Sequence, residues 1–123
     1  MPLRFVLDEH LRAGALWHAV QQHNAAGVDV LDVTRVGDPA DLPIGISDPD
    51  PLRWAERADR ILVSLDKRTL PAHLAAHLHA GGHSPGVFIL RPGSTTALVL
   101  FALALIAHAG DPIDYRDRID FIP

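Results

Sequence analysis

The run Arg4-Phe5-Val6-Leu7-Asp8-Glu9 constrains this chain most, because a short, wholly apolar stretch ends there on two carboxylates. Consecutive apolar side chains bounded by charge fit a strand covered on both faces, the kind found inside a parallel sheet. Arg60-Ile61-Leu62-Val63-Ser64-Leu65 repeats the pattern and runs into Asp66. Parallel strands end on one edge of their sheet, and open α/β folds carry their sites along that edge. Two such strands bring acid to the same place.

The intervening segments alternate between strand-like and helix-like. Leu3 to Leu7 predicts a first strand, Leu11 to Ala26 a helix stopped by Gly27, and Val28 to Val33 a β-branched second strand. A strand–helix–strand unit of this length gives parallel strands joined by a right-handed crossover. Gly37 to Pro51, rich in Pro, Gly and Asp, predicts a loop. Ser47 or Asp48 is placed to cap a short helix from Leu52 to Ala58. Ile61 to Leu65 is the third strand, and Thr69-Leu70-Pro71 opens a helix through Ala80 with its proline in the first turn. Gly86 to Leu90 is a fourth strand, Ser94 or Thr95 caps a last helix from Ala97 to His108, and Tyr115 to Phe121 alternates like an edge strand. The expectation is one domain over residues 1–123, a three-layer α/β/α sandwich around a mainly parallel sheet of four to five strands.

Composition removes several chemistries. The 123 residues include no cysteine, which excludes disulfides, thiolate nucleophiles and cysteine metal sites. A net charge of −4, with 21% charged and 48% hydrophobic residues, describes a folding chain without the basic field that drives non-specific nucleic-acid binding. The longest apolar run, Ala97 to Ala107, falls short of the roughly 20 residues that cross a bilayer. Met1-Pro2-Leu3-Arg4 has no signal-peptide pattern. A cytoplasmic protein, with no membrane partner, is expected.

Asp8 and Asp66 converge if their strands are neighbours, and Asp48, ahead of the helix that feeds the third strand, can reach the same edge. Carboxylates within about 4–6 Å repel, so such a cluster calls for a cation, and oxygen-only ligands suit Mg²⁺ or Mn²⁺. Mg²⁺ held by few carboxylates keeps waters, one of which can attack a phosphodiester. The plainer reading makes Asp48 an N-cap and Asp66 a turn residue, and spacing leaves both open. Lys67 and Arg68 either steer a phosphate backbone or belong to a solvated turn. His73 and His77 have the four-residue spacing of a helical zinc pair, but with no third ligand they read as exposed helix residues. Arg53, Arg57 and Arg60 read as a charged helix face with Glu56 and Asp59, and Trp17 and Trp54 as core anchors. The Ala97–Ala107 helix, apolar on nearly every side, is either enclosed or the contact of a homodimer.

Four stretches carry a family likeness: Val6-Leu7-Asp8-Glu9-His10-Leu11, then Asp48-Pro49-Asp50-Pro51-Leu52-Arg53-Trp54-Ala55, then Ile61-Leu62-Val63-Ser64-Leu65-Asp66-Lys67-Arg68, and last Pro85-Gly86-Val87-Phe88-Ile89-Leu90. In this order, and across essentially the whole chain, the sequence resembles the short PIN-like proteins related to VapC-type toxin ribonucleases. Those proteins open with L-L-D-E-N-L and continue through D-x-x-x-L-x-W-A to V-L-V-T-x-D. The resemblance implies a PIN-like fold and an endoribonuclease that cuts RNA with Mg²⁺ or Mn²⁺, as the toxin of a pair with an antitoxin protein. It implies that Asp8, Asp48 and Asp66 are catalytic and hold the metal. Glu9 would stand in for the helical Glu of larger PIN domains, with Asp50 a weaker candidate, and His10 replaces the family's Asn. Two other readings compete. One is a catalytically silent PIN-like protein-binding module. The other is a receiver-type phosphoacceptor domain, suggested by the acid pair after strand one and by Asp66-x-x-x-Leu70-Pro71. Receiver domains use a lysine at the end of a fifth strand, whereas the single lysine here is Lys67.

Overall fold

A computed structural model describes residues 2–46 and 49–123, so the expected cap and metal ligand Asp48, with Ser47, lies outside the described residues. Strands β1 (Phe5–Leu7), β2 (Val33–Arg35), β3 (Ile61–Ser64), β4 (Val87–Leu90) and β5 (Ile119–Ile122) form one wholly parallel sheet in the order β2-β1-β3-β4-β5. Helices α1 (Ala15–Ala25) and α4 (Thr96–Ala109) pack together on one face. On the other face lie α2 (Pro49–Ala58) and α3 (Leu70–His79). The architecture is α/β in three layers, as the alternation of runs implies.

The two faces follow the two-residue period of the strands. Phe5, Leu7, Ile61, Val63, Phe88 and Leu90 point toward α1 and α4, while Val6, Leu62, Val87 and Ile89 point toward α2 and α3. Each fully buried side chain of this size stabilises the fold by about 1.5–3 kcal/mol relative to exposure. Phe88 adds an edge-on contact to Tyr115, with ring centroids 5.4 Å apart.

β2 begins later than Val28 to Val33 predicts, for a local reason. Gly27 and Asp29 take left-handed φ values of 74° and 50°. The Asn24 side-chain amide then binds both backbone polar groups of Leu31, accepting from its N–H and donating to its carbonyl, each at 2.8 Å. Those bonds occupy groups that a strand would use for its ladder, and pairing with β1 starts at Val33. Likewise the first helix starts at Ala15 rather than Leu11, because Glu9–Leu11 is a separate 3₁₀ turn capped by Asp8. The alternating tail does form an edge strand, β5.

α4 settles between its two expected states. Val99, Leu103 and Ala107 are buried against the sheet, whereas Leu98, Phe101 and Leu105 are exposed, so the helix is only half enclosed. Among the described residues, no helix is long and apolar enough to cross a membrane.

Candidate functional site

From β1 the chain moves outward to β2 and then crosses back over β1 to β3, so the strand order reverses between β1 and β3. A crevice at such a reversal, outside the strands' carboxyl ends, is where open α/β sheets bind ligands. Asp8 follows β1 and Asp66 follows β3, which puts both at this point. The register pairs Leu7 with Val63, and the Asp8 N–H still donates to the Val63 carbonyl at 2.9 Å. Asp8 therefore sits beside Ser64.

Ser64 joins the two acids. Its buried hydroxyl donates to Asp8 Oδ2 at 2.7 Å and accepts the backbone N–H of Asp66 at 3.0 Å. Asp8 Oδ1 accepts the Glu9 N–H at 2.8 Å, capping the 3₁₀ turn. Asp66 Oδ1 accepts the N–H groups of Arg68 and Thr69, and Oδ2 accepts the Thr69 hydroxyl. These bonds, Thr69's above all, hold the Asp66 carboxyl below the usual carboxylate range against a smaller opposing effect of burial. The carboxylate also lies at the N-terminus of α3, where the helix dipole favours negative charge. Each carboxylate offers roughly four lone-pair positions, so these bonds leave room for a cation.

A cleft of about 170 Å³ opens over this edge, lined by Asp8, Glu9, His10 and Asp66 with Val36, Gly45, Ile46 and Pro51. A smaller recess shares Asp8 and Asp66 and adds Thr69 and His73. Glu9 anchors one wall, its Oε1 accepting the Gly45 N–H at 2.6 Å. Lys67 and Arg68 are exposed just beyond Asp66. Asp50 is in the first turn of α2 and accepts from Arg53 at 3.0 Å. On the β2 side, Asp38 binds both Arg12 and Arg35, whose guanidiniums hold its carboxyl low, Arg35 foremost. Arg35 also lies 4.1 Å from the Trp17 ring centroid, so Trp17 carries a cation–π contact besides its place against the core.

The described residues thus bring together three of the four sequence-predicted acids: Asp8, Glu9 and Asp66. Among those residues, no three carboxylate or imidazole groups stand close enough to ligate one ion. What the cleft offers is a pair of aspartates, and Mg²⁺ is commonly held by one or two carboxylates with water and substrate phosphate completing its shell. On that count the residues present fit a hydrated Mg²⁺ or Mn²⁺.

His73 and His77 are not the exposed helix pair that their spacing suggests. His73 borders the acid recess, whereas His77 is largely buried at the opposite edge of the sheet. There His77 Nε2 lies 2.7 Å from Glu56 Oε1 and 2.8 Å from the His83 carbonyl. Asp117 receives His83 Nδ1 at 3.0 Å and the Ser84 N–H at 2.7 Å. Both carboxyls are held low, Glu56 chiefly by the His83 N–H and Asp117 chiefly by the His83 ring. Arg60 likewise leaves the charged helix face and reaches Asp32 at 2.8 Å. Sequence reading missed two residues that hold the acids in place. Ser64 is the single hydroxyl inside an apolar run, and Thr69 stands three residues after Asp66, the spacing of a capping side chain.

No family model matches the chain, and no curated protein or solved structure matches it either.

Proposed function

We propose that the chain is a PIN-like endoribonuclease that hydrolyses RNA phosphodiesters with Mg²⁺ or Mn²⁺ in the cytoplasm, as the toxin of a toxin–antitoxin pair. The observation that carries this reading is the convergence of Asp8 and Asp66 on one cleft at the β1/β3 reversal, tied through Ser64. The four family-like stretches give the reading its chemistry. A bound divalent ion supplies an activated water and a counter-charge for phosphate oxygens. Asp8 and Asp66 would hold the ion, and Asp48 is their companion in the sequence pattern. Ser64 keeps the Asp8 carboxylate turned to the cleft. Glu9 completes the acidic wall and fixes the loop at Gly45. Lys67 and Arg68, exposed at the rim, meet the RNA backbone by charge.

One observation favours the silent binding module instead: both oxygens of Asp66 already accept bonds from the start of α3, which is work a purely structural cap would do. A phosphoacceptor reading gains nothing, since β5 (Ile119–Ile122) carries no lysine. Incubation of a mixed-sequence RNA with the protein and Mn²⁺ separates the first two. The nuclease cleaves, chelation stops it, and Asp8→Asn abolishes cleavage while the circular dichroism spectrum is unchanged. Cleavage by Asp8→Asn at the wild-type rate would reject the assignment.

A further inference from the structure

Arg35 closes β2 and lays its guanidinium against α1, 4.1 Å from the centroid of the Trp17 ring. Its fork is already taken, with Nε donating to Asp38 Oδ2 at 2.8 Å and Nη2 to Asp38 Oδ1 at 3.2 Å. Nη1 donates to the Arg12 carbonyl at 3.1 Å. A guanidinium held along its edge by a carboxylate and a carbonyl, and backed by an indole, is not at liberty to swing out and chelate a phosphate. It is a fixed plane. The side chain is still 21% exposed, and what it offers a ligand is the face turned away from Trp17. Arg12 complements it. Arg12 binds within the chain through Nη1 alone, to the Val36 carbonyl at 2.9 Å and to Asp38 at 2.7 Å. Two guanidiniums against one carboxylate leave this corner with an excess positive charge.

We propose that the outer face of Arg35 is a stacking platform for an unpaired nucleobase of the RNA entering the acid cleft, with Arg12 meeting the phosphate beside that base. The choice of RNA as partner rests on the nuclease reading above, whereas the platform itself rests on the Arg35 geometry. Position ties platform and cleft together. Arg35 pairs in register with Leu7, the residue before Asp8, and Val36, the residue after Arg35, lines the cleft. Neighbouring strands lie about 4.8 Å apart, so the platform stands one strand away from Asp8. An RNA whose scissile phosphate meets Asp8 and Asp66 therefore carries a flanking base over the end of β2. Chemistry selects an unpaired base. Any base presents a flat π-face to a guanidinium plane, and that face is open only where the base is not already stacked inside a duplex. The chain's net charge of −4 gives no broad basic field to hold RNA, so a stacked contact next to a single excess cation adds affinity that charge does not.

Fluorescence anisotropy on the full chain, in EDTA so that no RNA is cut, tests this with two labelled oligomers of equal length and charge. One is oligoadenylate, and the other is the same ribose-phosphate backbone without bases. The wild type is expected to bind oligoadenylate at least about fivefold more tightly, the gain from one stacked base. Arg35→Lys keeps the charge but loses the plane, so it should bind both oligomers alike. Arg12→Gln should weaken both by a similar factor and leave the gap between them. Should Arg35→Lys fold poorly, a photo-cross-link from thiouridine-substituted RNA to the wild type locates the contact without a variant. It is expected at residues 33–38 or at Trp17. Equal wild-type affinities for the two oligomers, including none for either, overturn the proposal. So does a gap that survives in folded Arg35→Lys, or cross-links confined to other segments. Cleavage is not read in this assay. A chain that stacks bases without cutting RNA keeps the platform and loses the nuclease, whereas one that cuts RNA yet binds both oligomers alike loses only the platform.

Discussion

Ser64 and Asp8, fifty-six residues apart, share a 2.7 Å hydrogen bond from a buried hydroxyl to a partly buried carboxylate. The bond crosses from β3 to the end of β1, the two strands between which the chain reverses its direction across the sheet. The same hydroxyl accepts the Asp66 N–H, so one small side chain sets the position of both acids.

Removing that hydroxyl leaves the part-buried Asp66 N–H unmatched and frees one Asp8 oxygen. Ser64→Ala should lower stability by about 1–3 kcal/mol, the cost of orphaning buried polar groups. The check is a urea titration, where the midpoint should fall with no change in slope. An unchanged midpoint would show that the hydroxyl does not hold the two strand ends together.

Acid should unfold the protein through its bound carboxylates. Asp38, Glu56, Asp66 and Asp117 all have folded-state pKa values depressed by hydrogen bonds and basic neighbours. A depressed carboxyl contributes stability that is present above its unfolded pKa, about 4, and is lost as pH falls through the lower folded value. The urea midpoint is expected to hold at neutral pH and to drop steeply from about pH 4 downward. Asp117→Asn should make that drop shallower. An identical pH dependence in the variant would remove Asp117 from the effect.

The strands that carry the acids were legible because they are buried on both faces and read as unbroken apolar runs. Asp8 and Asp66 follow from those runs directly. Val28 to Val33 misled because β-branched alternation says nothing of Asn24, whose amide takes the backbone of Leu31 before a ladder can form. His77 was illegible for a related reason: its partners Glu56 and His83 lie on α2 and beyond the end of α3, and only the folded chain brings them together. Ser64 was visible as a residue but not as a link, since its two partners come from different strands. The third aspartate, Asp48, rests on the sequence pattern alone.

Two leucines one half-turn apart on α4 should behave oppositely. Leu103 is fully buried against the sheet and Leu105 is 56% exposed. Leu103→Ala should cost about 2–5 kcal/mol through lost burial and the cavity left behind. Leu105→Ala should stay within about 0.5 kcal/mol of the wild type. Thermal or urea unfolding distinguishes them, and equal losses would mean that both faces of α4 are covered.

Titration calorimetry of Mn²⁺ into the metal-free protein, beside the Asp8→Asn variant, bears most directly on whether the β1 and β3 acids hold a divalent ion. The expected result is a single-site binding heat in the wild type that disappears in Asp8→Asn, with the variant's circular dichroism spectrum unchanged. No binding heat in the wild type, or the same heat in both proteins, would contradict it.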